Sequence, residues 1–221
     1  MGWMQIGIYF VLLALLAKPL GEHMARVYSG ERTFLSPAFG WLERALLRVL
    51  RVHPDEESDW KNYSGALLAF NALGFLAVYL LQRVQDRLLA NPAGLGPVAP
   101  DSAFNTAVSF VTNTDWQGYA GETTLSYLTQ SLGLAVQNFA SAATGMAVLA
   151  ALIRGFTRRT SATIGSFWVD LVRSTVHVLL PLSAVLALAL ASRGVVQTFD
   201  DPATARLFDG AEQVIPRGPA A

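Results

Sequence analysis

The stretch Asp101-Ser102-Ala103-Phe104-Asn105-Thr106-Ala107-Val108-Ser109-Phe110-Val111-Thr112-Asn113-Thr114-Asp115-Trp116-Gln117-Gly118-Tyr119-Ala120-Gly121-Glu122 decides how the chain is read. Its first half predicts a short helix over residues 102–111. Asp101-Ser102 is an N-cap signal, and Phe104, Ala107, Val108 and Val111 fall on one stripe. A helix of about ten residues reaches only ~15 Å, half the hydrocarbon thickness. Its second half is polar. A short apolar helix followed by polar chain, between two membrane spans, predicts a re-entrant hairpin. Backbone at that depth cannot face lipid and must be buried in protein or line a water-filled path. The C-terminal end of a half-length helix adds partial negative charge there. Carbonyl oxygens just beyond it can replace the water around an alkali cation, and oxygen-only ligands suit potassium or sodium rather than a transition metal. The other reading is a structured loop outside the membrane with an Asx-type turn at Asn113–Asp115. On these residues alone both stay open.

Working outward, Asn91 to Pro100 is rich in Pro and Gly and reads as an extended linker. It is flanked by uncharged runs of 21 residues (Asn62–Gln82) and 31 residues (Thr123–Ile153). A third run of 19 covers Ser174–Ser192, and Trp3–Ala17 is uncharged up to Lys18. Each is long enough, or nearly so, to cross a bilayer, so four transmembrane helices are predicted. The first lacks a basic n-region and a small-x-small cleavage site, so it reads as a retained helix over residues 1–20, ended by Pro19 and Gly21. The 31-residue run is longer than a membrane needs. Tilt, a kink near Gly145 or a start outside the membrane would absorb the excess.

Orientation follows from the basic residues. With the N-terminus outside, eleven of the 16 Lys and Arg fall inside, among them Arg154, Arg158, Arg159 and Arg173, and five fall outside. The loop over residues 21–61 contains Phe39, Leu42, Leu46, Val49 and Leu50 at helical spacing. Arg44, Arg48 and Arg51 occupy another face. This is an amphipathic helix for the inner leaflet or for a partner's soluble face.

Composition narrows the function. The chain has 221 residues, 52% hydrophobic and 14% charged, with no net charge. That excludes a disordered chain and a basic nucleic-acid binder, and no nucleic-acid partner is expected. Without cysteine there is no disulfide, thiolate metal site or Cys nucleophile. His23, His53 and His177 are scattered. No phosphate-binding loop, paired carboxylates or Ser/His/Asp arrangement stands out, so no catalytic residue is assigned. Gln137 and Asn138 are costly in lipid and should face the bundle, either bonded between helices or lining a cavity, as should Asn71 and His177. Small residues Gly133, Ala142, Ala143, Gly145 and Ala147 permit close helix approach. Trp3, Trp60, Tyr63, Tyr79, Trp116 and Tyr119 fall near predicted interfaces.

The string Val111 to Glu122 closely resembles the first filter segment of the potassium-binding A subunit of the Kdp potassium-transporting ATPase. Leu125-Ser126-Tyr127, Val136-Gln137-Asn138-Phe139, Ala151-Leu152-Ile153-Arg154, Trp168-Val169-Asp170-Leu171 and Ala17-Lys18-Pro19-Leu20-Gly21 extend the likeness over essentially the whole chain. The resemblance implies an all-α integral membrane fold built from potassium-channel-like repeats of outer helix, pore helix, filter and inner helix, with an extra N-terminal transmembrane helix. The first repeat would be residues 62–153, with spans 62–82 and 123–153, pore helix 102–111 and filter 112–116. Residues 154–192 would be a cytoplasmic turn and the outer helix of a second repeat, beginning about Ser161, and 193–221 an extracytoplasmic linker.

The same resemblance implies that Val111, Thr112, Asn113, Thr114 and Asp115 form the potassium filter, mainly through the carbonyls of Thr112, Asn113 and Thr114. Trp116, Gln117, Gly118 and Glu122 would support it or stand at the outer mouth, and Trp116 would buttress it from behind. Thr114 stands where later repeats usually carry glycine, and the charge of Asp115 would concentrate cations. The implied role is a non-catalytic, potassium-binding subunit in the bacterial cytoplasmic (inner) membrane, surrounded by lipid. ATP would be hydrolysed by a P-type ATPase partner (KdpB), with small subunits KdpC and KdpF. Gly218-Pro219-Ala220-Ala221 echoes Gly96-Pro97-Val98-Ala99, and the chain stops before a second filter, so it reads as an N-terminal fragment. Two other readings remain: a passive cation channel of four copies, and a non-transport membrane scaffold.

Overall fold

Four helices are long and apolar enough to cross a membrane: Gly2–Tyr28, Trp60–Arg87, Thr129–Thr157 and Phe167–Ser192. They grow from the four charge-free windows. The computed structural model describes residues 2–158, 160–196, 198–208, 210–215, 217 and 218. Arg159 of the basic loop, and Pro219, Ala220 and Ala221 of the linker echo, lie outside the described residues.

Helix α1 (Gly2–Tyr28) passes through Pro19 and Gly21 rather than ending there. Tertiary bonds hold its last turns and override the local stop signal. Val27 is buried, the His23 Nε2 donates to the His177 carbonyl at 2.9 Å, and the Tyr28 and Ser174 hydroxyls lie 2.7 Å apart.

Helix α2 (Ser36–Leu50) forms within the predicted amphipathic stretch, but its apolar stripe is divided. Phe39, Leu42 and Leu47 pack on Val169, Val172 and Val176 of this same chain, whereas Leu46, Val49 and Leu50 point outward.

Helix α3 (Trp60–Val84) is capped by the Asp59 carboxylate, which accepts from the Asn62 N–H at 2.9 Å. A turn of 3-10 helix, Gln85–Arg87, ends it. The short helix α4 (Pro100–Val111) and the one-turn α5 (Gly121–Thr124) fill the segment between α3 and the third span. That span opens with a wide π-turn, Thr129–Ala135, and continues as α6 (Val136–Thr157). The 31-residue run therefore begins in α5 and the extended Leu125, ahead of the long helix that starts at Thr129. Ala143 and Ala147 are fully buried at the α6 contact, but Gly145 is exposed with open space beside it.

The fourth span is α7 (Phe167–Arg173), a π-turn at Ser174–Leu179 and α8 (Leu180–Ser192). It starts at Phe167, not near Ser161, because Gly165 pairs with Ser58 as an isolated antiparallel bridge. Two strands, β1 (Ala203–Arg206) and β2 (Glu212–Ile215), pair antiparallel within the predicted linker. The fold is otherwise helical.

Candidate functional site

Helix α4 starts at Pro100 in its first turn, with Ala99 rather than Asp101-Ser102 at the cap. Proline suits that position because its missing N–H would have no helical partner, and Asp101 in the first turn complements the dipole. The buried face is Ala103, Thr106, Ala107, Ser109 and Phe110. The predicted stripe is thus rotated: Phe104 and Val108 face outward, because the contact is with Val78 on α3 and Leu134 below.

Two glutamines at the end of α3 hold this helix. The fully buried Gln82 donates to the carbonyls of Val78 (3.0 Å) and Ala103 (3.2 Å) and accepts from the Tyr119 hydroxyl (2.8 Å). Thr106 on α4 lies 2.9 Å from that same hydroxyl. Gln85 donates to the carbonyls of Gly96 and Thr124 and accepts from the Ser126 N–H. Arg83 donates to the Val98 carbonyl. Tyr119 is therefore bonded through its hydroxyl. So is Tyr63, whose hydroxyl donates to the Ala147 carbonyl at 2.7 Å.

Residues 112–116 turn back on the end of α4. The N–H of Thr112 donates to Val108 O (3.0 Å), that of Asn113 to Phe110 O (3.4 Å), and those of Thr114 and Asp115 to Ser109 O (3.0 and 3.4 Å). The Trp116 N–H donates to the Ser109 hydroxyl at 2.7 Å. All five amides are used. Among the described residues, no hydrogen bond reaches the carbonyl oxygens of residues 112–116.

The backbone explains this one-sidedness. Thr112 has φ −86°, while Asn113 and Asp115 lie in the left-handed region at φ 59° and 56°. Alternating handedness turns successive N–H groups to one side, and the carbonyls are left to the other. Asn and Asp tolerate left-handed backbone better than most residues. Their side chains do not close Asx turns among the described residues. The Asn113 Oδ1 instead accepts from the Ser141 hydroxyl on α6 at 3.0 Å. Ser141 lies near the middle of the span Thr129–Thr157, so α4 ends about halfway along it.

The flanking residues divide. Val111 is half-buried at the end of α4, and Thr112, Thr114, Asp115 and Trp116 are exposed. Trp116, expected as a buttress, is 59% exposed, and the nearby Tyr119 hydroxyl bonds Gln82. Gln117 lies against Gly121, Gly118 sits near the Trp116 ring, and Glu122 is exposed on α5. Gln137 is buried against Gly74, whereas Asn138 is exposed. Sequence reasoning passed over Ser109, Gln82, Gln85 and Ser141. Their signal was a hydroxyl or carboxamide inside an apolar helix, which is rare unless it has a partner.

Charged groups gather at the opposite end of α3. Arg154 binds both oxygens of the buried Asp170 at 2.5 and 2.8 Å, and Tyr63 donates to Asp170 Oδ2 at 3.1 Å. Glu43 on α2 accepts from His177 (2.8 Å) and Arg173 (3.0 Å). The His177 hydrogen bond, then Arg173, hold the Glu43 carboxyl below its ordinary value despite the opposing effect of burial. Arg158 pairs with Glu57. No group of three or more His, Asp or Glu residues suited to a metal occurs among the described residues.

A sequence profile described as "Potassium-transporting ATPase A subunit" matches residues 7–221. Curated proteins named "Potassium-transporting ATPase potassium-binding subunit" align over the full chain. The protein of Granulibacter bethesdensis is 56% identical over 220 residues, that of Sorangium cellulosum 56% over 229, and that of Rhodospirillum centenum 57% over 220. The chain covers 39%, 40% and 38% of those proteins, so it spans about two fifths of their length.

Proposed function

Because the chain belongs to the potassium-transporting ATPase A subunit family, and is a multi-pass membrane protein, we propose that its residues 111–115 bind potassium within a larger transport subunit. One observation carries this reading: five consecutive amides are spent on the end of α4, while among the described residues the five carbonyls of residues 112–116 accept no hydrogen bond. Bare carbonyls are costly in a membrane unless a cation or water meets them. The carbonyls of Thr112, Asn113 and Thr114 would supply this chain's share of the oxygen cage, with potassium as the cargo. The negative end of α4 adds to the attraction. Asp115, Gln117 and Glu122 would stand toward the outer mouth, with Gly118 and Trp116 flanking it.

One repeat supplies a single strand of such a cage, so the remaining strands belong to the longer protein that the relatives represent. The subunit itself performs no bond chemistry. ATP hydrolysis would reside on a P-type partner, KdpB, with KdpC and KdpF completing the complex. The site would be the bacterial cytoplasmic membrane with the N-terminus outside.

Thr114→Phe in the complete transporter tests the reading. Bulk at that position should raise the external potassium needed for half-maximal uptake by tenfold or more, with normal amounts of protein in the membrane. Unchanged affinity would remove the filter assignment.

A further inference from the structure

Residues 114–116 are anchored within their own hairpin by Ser109, and Asn113 is anchored from outside it by Ser141. The second anchor differs in kind. Ser141 is 2% exposed on α6, and its hydroxyl has one proton to give. The Asn113 Oδ1 lies 3.0 Å away, closer than the Asn138 carbonyl at 3.3 Å. Asn113 is the first left-handed residue after α4, the position where the peptide reverses its facing. Its carboxamide is thus pinned by a helix that contributes no carbonyl to the segment.

One turn earlier on the same face, Gln137 wedges against Gly74 of α3. A Cβ on Gly74 would lie 2.6 Å from the Gln137 Oε1. The close approach of α3 to α6 fixes the height and rotation of the face that presents Ser141.

We propose that Ser141 is a positioning residue for ion selectivity, holding Asn113 left-handed from the inner helix so that the Thr112 and Asn113 carbonyls keep a fixed spacing. This rests on the filter reading above. A cage discriminates between ions by the number and placement of its oxygens, so a peptide free to rotate accepts ions of other sizes. Loss of one neutral hydrogen bond loosens the preferred geometry by about three- to tenfold.

The test uses the complete transporter complex, with uptake measured for potassium, rubidium and sodium. Ser141→Ala should weaken potassium affinity and cut the preference over rubidium and sodium by about three- to tenfold. Maximal uptake at saturating potassium should be preserved. Ser141→Thr, which keeps the hydroxyl, should retain the preference. In an Asn113→Ala background, Ser141→Ala should add nothing further. If Asn113→Ala changes affinity while Ser141→Ala does not, the positioning role is overturned and the filter reading stands. If neither changes it, the positioning role is overturned, and Thr114→Phe decides the filter reading separately. A fall in maximal uptake with unaltered ion preference would mark Ser141 as merely structural and also overturn the role.

Discussion

Ser109 does more for residues 112–116 than any residue inside that segment. Its carbonyl receives two amides and its hydroxyl a third. Ser109→Ala removes only the hydroxyl. It should speed hydrogen exchange at the Trp116 amide several-fold, in line with a bond of about 1 kcal/mol. The Thr112 amide, bonded to Val108, should exchange as before, and mass spectrometry of the purified protein reads both. A hydroxyl in the last turn of an apolar helix signals that it has a partner, but periodicity does not say that the partner is the Trp116 amide. Asn113 and Asp115 were legible as turn-formers, but the acceptor for the Ser141 hydroxyl depends on how α6 packs against α4. Tyr63 was misread for a similar reason: a tyrosine near a helix end looks interfacial until its hydroxyl finds Ala147 and Asp170.

Charge-free windows located the four spans because a membrane crossing leaves a compositional mark no other element needs. Boundaries were less legible. The π-turns at Thr129–Ala135 and Ser174–Leu179 answer to packing, and so does the run of α1 past Pro19. Helix α2 was visible as an amphipathic stretch, but its docking partner was not. Phe39 and Leu42 meet α7 and its following turn, which lie far away in sequence. Glu43 fastens the same seam, and its lowered pKa fixes the sign of its pH dependence. The stabilisation is fully present above the ordinary carboxylate value of about 4.3 and disappears as pH falls through the lower folded value. Glu43→Gln should therefore melt at lower temperature than the parent at pH 7. The gap between the two should close on acidification below about pH 4, as thermal melts in detergent would show.

At the scale of the molecule, carbonyls without donors cluster at one level of the bundle and paired charges at another. Arg154, Asp170 and Tyr63 join α6, α7 and α3, so their loss is felt by three elements at once. Asp170→Ala leaves a guanidinium with 15% of its side chain exposed and no carboxylate, which should cost about 3–5 kcal/mol. Tyr63→Phe should cost about 1 kcal/mol. Tryptophan fluorescence during unfolding, with Trp168 beside Phe70 and Phe167, follows both. The resemblance in sequence reached the family. It could not reach this network, whose three members lie on three separate helices.

The tail returns to the segment just before the third long helix. The Tyr127 hydroxyl donates to the Asp200 carbonyl, 73 residues downstream, and Gly218 lies so close to the Tyr127 ring that a Cβ there would meet it. A nascent chain emerges from the ribosome in order, so Tyr127 is synthesised well before its acceptor exists. Those two contacts can form only after the fourth long helix, Phe167–Ser192, has been made.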